Sequence, residues 1–273
     1  KVTTPADVAY NQIREKRKNH GSCGLGVGPT MSRNVNTGYK LYAIDLKTPS
    51  VLYEKMRNIT KYYLDLLTDK QEKKLFMDTV SISMIIFERA MKNLEFNIKN
   101  YNFLSEFDHL IFEGSQGIML DMDHGIFPNV TYANTTSKNA IEICKKVGIL
   151  TTHNIDVYYV TRCYQTRHGN GWMSNNTPVE LINTDDEINK FNEWQKDFKV
   201  AEIDYDLLRQ SLSIDDIYSH SYNKKLVVTC LDQRPNFKFR TWELDDVEFD
   251  SVYYSHSADS KDFQIKRERS FFF

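Results

Sequence analysis

Apolar residues recurring at three- and four-residue steps mark out most of the helices. Leu52, Met56, Ile59, Tyr63 and Leu66 line one face of residues 50–67, behind a Ser50 cap. Leu75, Val80, Met84, Phe87 and Met91 do the same over 69–94. Residues 6–18 carry Val8 and Ile13 and end in Arg14, Lys16, Arg17 and Lys18, where cations suit the helix dipole. A further helix is predicted over 137–147, entered through Thr135-Thr136-Ser137 and left through Gly148, and another over 203–212. Short apolar runs predict strands at 109–112 (HLIF, read as buried), 156–161 (DVYYVT) and 225–231 (KLVVTCL). Strands alternating with helices make this an α/β chain with a mainly parallel central sheet flanked by helices, read as a single domain over 1–273.

Polar residues crowd the exits of those strands. After Phe112 come Gly114-Ser115-Gln116-Gly117, then Asp121, Asp123 and His124, then Thr131, Asn134, Thr135, Thr136 and Ser137. In open α/β sheets, ligands collect beyond the carboxyl ends of the strands, where loops vary over a rigid base. A stretch so rich in donors and acceptors reads as a site, with a plain surface connection as the alternative. Arg162, Gln165, Thr166, Arg167, His168 and Asn170 follow the second strand, with His168 read as a hydrogen-bonded loop residue, and Asp232 follows the third. Residues 21–30, GSCGLGVGPT, place four glycines in eight positions and predict a loop, either a tight turn or a cradle of bare N–H groups for phosphate.

Composition removes several classes of function. A formal net charge of −2 and a pI near 6.4 give no electrostatic reason to expect nucleic acid. The mixed-sign tail Lys266-Arg267-Glu268-Arg269 reads as solvated. No run approaches the roughly 18 apolar residues that a bilayer span requires, and no apolar segment follows Lys1 as in a signal peptide. Cys23, Cys144, Cys163 and Cys230 form no CxxC pair, which points to reduced thiols and a cytoplasmic protein. No set of residues reads as a metal site.

The run EGSQGIMLDMDHGIFPNVTYANTTSKN, residues 113–139, closely resembles the signature EGAQGxxLDxDHGTYPxVTSSNTT of adenylosuccinate synthetases. GSCGLGVGPTMSR resembles their phosphate-holding GTTxxGIGPxYxxK, with Cys23 in place of a threonine and Leu25 where a basic residue is frequent. The arginine this family sends across its dimer interface has Thr37 at its ungapped position. TRHGNG resembles TRVGxG, with Arg167 on the family arginine, and LVVTCLD resembles the TKLD segment, with Asp232 matching and Cys230 replacing lysine. Tyr253-Tyr254-Ser255-His256-Ser257 resembles the last strand and its STGP base contact. The polar stretch 184–195 stands where the family carries a threonine- and arginine-rich loop for aspartate, and only Lys196 and Lys199 offer cations there.

The resemblance implies a P-loop-NTPase-like adenylosuccinate synthetase fold and a ligase that joins L-aspartate to IMP with hydrolysis of GTP, in purine biosynthesis. It implies Gln116 at the purine O6 as the catalytic residue, Ser22, Cys23 and Thr131 at the 5′-phosphate, and Arg167 at phosphate or ribose. Lys196 and Lys199 would meet aspartate, and Asp232 with Ser255 would read the base of GTP. It also implies Mg²⁺ and a homodimer. The family's GDEGKGK-type loop, its purine-deprotonating aspartate and its GHT histidine have no counterpart in these 273 residues, and the Mg²⁺ ligands are expected with them. An N-terminally incomplete chain is one reading of that gap, and a non-catalytic nucleotide-binding remnant is another. The departures at Cys23 and Cys230 raise a third alternative, a phage-type relative acting on dGMP with ATP.

Overall fold

A computed structural model describes residues 1–18, 21–150, 154–182, 191, 193–244, 246–257 and 259–266. Most of the polar stretch 184–195 and the tail beyond Lys266 lie outside the described residues. The chain divides into two compact units, Lys1–Asn100 with Asn192–Lys196, and Tyr101–Phe191 with Asp197–Phe273.

The first unit is helical: α1 (Pro5–Lys18), α2 (Val27–Asn36), α3 (Pro49–Leu66) and α4 (Lys70–Lys92). Ala6, Ala9 and Ile13 of α1 meet Leu52, Met56, Ile59 and Tyr63 of α3 and Phe76 and Val80 of α4 in one apolar cluster. That is the outcome three- and four-residue spacing dictates, because such residues stack on one helix face. The stripes are shorter than the spacing predicts: Leu66 is exposed at the end of α3, and near the start of α4 Leu75 is exposed while Phe76 takes the buried position. Asp69 caps α4 by accepting from the N–H groups of Gln71 and Glu72. α3 starts without help from Ser50: Thr48 precedes it and Pro49 opens it, a position whose missing N–H costs nothing.

α2 corrects the expectation of a loop through residue 30. Gly26, at φ 77, is the left-handed residue from which the helix departs. Pro29 lies in its first turn, where N–H groups have no intrahelical partner anyway. Behind it sits a buried knot. Asp7, fully enclosed, accepts from Arg33 Nε at 2.9 Å and Nη2 at 2.9 Å, from Tyr63 Oη at 2.6 Å, and from Thr4 N and Oγ1 at 2.7 Å each. Burial opposes the charge on Arg33, and the contact with Asp7 outweighs it, so the guanidinium pKa is raised.

The second unit holds a four-stranded sheet in the order β1-β4-β5-β6, built from β1 (Asp156–Arg162), β4 (Asn223–Thr229), β5 (Ser251–Ser255) and β6 (Phe263–Lys266). β1, β4 and β5 run parallel and β6 closes the edge antiparallel. A separate hairpin pairs β2 (Gln165–His168) with β3 (Phe198–Ala201). The sheet packs with α6 (Tyr205–Ser219), whose Leu212 joins Leu226, Val228 and Val252 in the core, and α5 (Lys138–Val147) contacts α6. α6 runs seven residues beyond the predicted end at 212. Gly148 closes α5 at φ 79, as its position past Val147 predicts.

Residues 109–112 are not a buried strand. Ile111 is 95% exposed, and no described strand pairs with the segment. An apolar run becomes a strand only when a neighbour completes its backbone hydrogen bonds, and the sheet order offers it none. Among the described residues, no helix is long and apolar enough to cross a membrane.

Candidate functional site

The loop that follows is organised by one carboxylate. Asp121 is fully buried and accepts from Asp123 N at 2.8 Å, His124 N at 3.3 Å, Thr135 N at 2.6 Å and Asn134 Nδ2 at 3.4 Å. Burial alone would raise its pKa; those four donors outweigh it and hold the carboxyl below its ordinary value. Backbone bonds from Thr131 N to Leu120 O and from Met122 N to Ala133 O, each about 3 Å, fold the two arms of the loop together. His124 Nε2 lies 2.9 Å from Tyr218 Oη, and Lys138 pairs with Asp123 at 3.3 Å.

Most of the polar side chains noted in the sequence are therefore engaged in holding the loop. Among the described residues of this stretch, the Gln116 amide and the hydroxyls of Ser115, Thr131 and the buried Thr136 have no hydrogen-bond partner. Gln116 is exposed and sits at φ 66, a left-handed conformation that a side chain adopts only at a cost of order 1–3 kcal/mol. Gly125 makes the loop possible. A Cβ there would stand 2.6 Å from the Asp121 carbonyl oxygen and 2.7 Å from that of Met119. Gly125→Ala is expected to destabilise the second unit by about 1–3 kcal/mol, read from a denaturant midpoint; an unchanged midpoint would show the loop yields freely.

Arg167 reaches the same loop from β2. Its Nη2 donates to Asn129 O at 3.1 Å, two residues before Thr131, while its buried Nε has no partner among the described residues. Burial lowers its pKa. Gly171 vacates space for the guanidinium, since a Cβ there would overlap Nη2. In the hairpin, Arg167 stands directly opposite Lys199. Cross-strand partners share a face, and like charges facing each other repel unless an anion lies between or near them.

Asp232 and Ser255 come to the carboxyl edge of adjacent parallel strands. Asp232 lies in the short helical turn Leu231–Gln233 just after β4, and Ser255 ends β5. Asp232 is exposed, and Ser255 Oγ donates to Ser257 O at 3.0 Å. A cavity of about 690 Å³ opens instead at the start of β4, among His220, Asn223 and Lys224, and holds none of these residues.

Ser22 and Cys23 belong to the first unit. Ser22 Oγ accepts from Asn11 Nδ2 at 2.9 Å and from Gly24 N at 3.4 Å, which leaves its own proton to donate. Asn11 Oδ1 also accepts from Gly26 N at 3.0 Å, and Glu15 accepts from Gly21 N, so α1 shapes the whole loop. Lys196, at φ 65, donates to Glu193 O at 2.8 Å in the same unit. Sequence reasoning missed Asp215, buried mid-way along α6, which accepts from Ser137 N and Oγ and from Tyr159 Oη. An acid on the apolar face of an amphipathic helix was the available signal. Ser137 precedes α5 as predicted, yet its hydroxyl serves Asp215 and not the helix end.

Comparison with known proteins falls into one group. The family model described as Adenylosuccinate synthetase matches residues 1–226. The adenylosuccinate synthetase of Buchnera aphidicola subsp. Baizongia pistaciae is 29% identical over 251 residues, 86% of this chain and 54% of that protein. That of Synechocystis sp. is 32% identical over 198 residues, 69% of this chain and 41% of the relative. That of Crocosphaera subtropica is 30% identical over 181 residues, covering 62% and 39%. The chain thus spans about half or less of the length of these curated relatives.

Proposed function

This chain belongs to the adenylosuccinate synthetase family, and on that premise we propose that it forms part of a C–N ligase joining L-aspartate to IMP in purine nucleotide biosynthesis. In the proposed reaction the γ-phosphate of GTP moves to the purine O6, leaving GDP, and the aspartate amine then displaces that phosphate at C6. Such chemistry depends on positioned donors for developing charge. The observation that carries the reading is the Asp121-centred loop, which commits Asp123, Asn134 and Thr135 to its own framework and leaves the Gln116 amide and the Thr131 hydroxyl without a partner among the described residues.

The resemblance implies each role, and the chemistry of the side chain supports it. Gln116 donates to O6 as negative charge grows there, and its side chain is exposed and free to do so. Thr131 and Ser22 donate hydroxyl protons to the 5′-phosphate, with Cys23 beside Ser22 as a weaker donor. Arg167, with one buried N–H unpaired, meets phosphate or ribose, and an anion there relieves its repulsion with Lys199. Lys199 and Lys196 are then the cations for the aspartate carboxylates. Asp232 accepts from a purine edge, with Ser255 beside it on the next strand.

Mg²⁺ would neutralise the transferring phosphate. Among the described residues no three His, Cys, Asp or Glu side chains gather to hold a metal, so none of the steps assigned to this chain runs through one. The proposal takes residues 1–273 as one adenylosuccinate synthetase-like domain of a cytoplasmic homodimer.

Calorimetric titration with IMP tests the reading. Binding in the micromolar range, about −8 kcal/mol, weakened at least tenfold in both Gln116→Ala and Thr131→Ala, supports it. Undiminished binding by both variants would remove the purine site from this loop.

A further inference from the structure

The turn at residues 193–195 lays an indole on the glycine-rich loop of the first unit. A Cβ on Gly24 would stand 2.6 Å from Trp194 Cγ, 2.8 Å from Cδ1 and 2.9 Å from Cδ2. Those atoms are the root of the indole, not the far end of a swinging chain, so a side chain at Gly24 and the observed Trp194 exclude each other. Lys16 Nζ lies 5.7 Å from the ring centroid, within cation–π range. Gly24 is buried at φ 70 and its carbonyl accepts from Gln12 Nε2 at 3.3 Å.

The contact leads to a functional atom in one step. Gly24 N donates to Ser22 Oγ, and together with Asn11 Nδ2 it occupies the acceptor side of that hydroxyl. The direction in which Ser22 offers its proton is therefore set by where Gly24 lies, and Gly24 lies where the indole holds it. We propose that Trp194 is a positioning residue for the nucleotide 5′-phosphate, acting through Gly24 on the Ser22 hydroxyl. It touches no reacting atom. The inference rests on the nucleotide reading above and adds to it a residue from the stretch that otherwise supplies only lysines.

The test separates phosphate from base. IMP and inosine, which lacks the phosphate, are titrated into the wild-type chain, Trp194→Ala, Trp194→Phe and Gly24→Ala. Trp194→Ala is expected to weaken IMP about tenfold and inosine less than twofold, and Trp194→Phe to recover most of the IMP affinity. Gly24→Ala dislodges the indole from the opposite side and should give the same selective loss. IMP, but not inosine, should also shift the indole emission of the wild type, a shift absent from Trp194→Phe, which keeps Trp172 and Trp242. Equal losses for both ligands would reveal a general structural role and overturn the inference, as would unchanged IMP affinity in Trp194→Ala. A wild-type chain that binds neither ligand overturns the nucleotide reading and this inference with it; a wild type that binds beside an unaffected Trp194→Ala overturns the inference alone.

Discussion

Asp7→Ala is expected to cost the first unit roughly 3–5 kcal/mol, because it leaves a guanidinium buried without its counter-charge. Both side chains of the Asp7–Arg33 pair are wholly screened from solvent. The loss extends beyond the ion pair, since the Tyr63 hydroxyl and both donors of Thr4 lose their acceptor as well. Denaturant unfolding measures the effect. The informative control removes both charges, Asp7→Leu with Arg33→Met, where well-packed apolar groups should recover much of the stability. A single variant that loses less than about 1 kcal/mol would mean that Arg33 finds water or another acceptor once Asp7 is gone. Function should follow stability here. A Cβ on Gly26 would touch the backbone of Asp7 and Val8, so the glycine-rich loop rests directly on the first turn of α1.

Asp121→Ala is the second large effect, about 3 kcal/mol, with the loss centred on the loop at 113–137. Each N–H now bonded to the carboxylate would lose its acceptor in a partly buried setting, and hydrogen exchange at Asp123, His124 and Thr135 should accelerate together. If only one of those amides speeds up, the carboxylate is not the organiser described above. Acid should reproduce the variant. The folded Asp121 pKa is depressed, so its contribution is present above the ordinary carboxylate value, near 4, and is lost as pH falls through the lower folded value. Exchange protection in this loop should therefore hold at neutral pH and fade below about pH 4.

Helices were the most legible part of the chain. The stripes of α1, α3 and α4 are long enough for period to identify them, and Asp69 before α4 and Gly148 after α5 mark boundaries that local chemistry fixes. The hairpin of β2 and β3 was not legible, because QTRH is wholly polar, FKVA is only four residues long, and the two pair across a long separation in sequence. α2 was hidden by Gly26, Gly28 and Pro29, residues that break helices in their interiors and are tolerated at their starts. The run at 109–112 failed for the opposite reason: apolarity shows what a segment could bury, not whether a neighbour exists to bury it. Gln116, Thr131, Arg167 and Asp232 entered the candidate site through family motifs and not through any local pattern of their own. That Asp121 spends its charge on the loop, and that Trp194 needs a glycine at 24, are facts of packing between distant residues and leave no local trace.

The parallel register of β1 with β4 has a consequence for the nascent chain. Asp156 is aligned with Asn223, 67 residues later. At a synthesis rate of about 5–20 residues per second, β1 leaves the ribosome roughly 3–13 s before the strand it pairs with in the sheet. Tyr158 and Val160 remain half or more exposed even in the folded chain. During that interval an unpaired strand of this kind is the segment a chaperone would shield, and the one through which two unfinished chains would join.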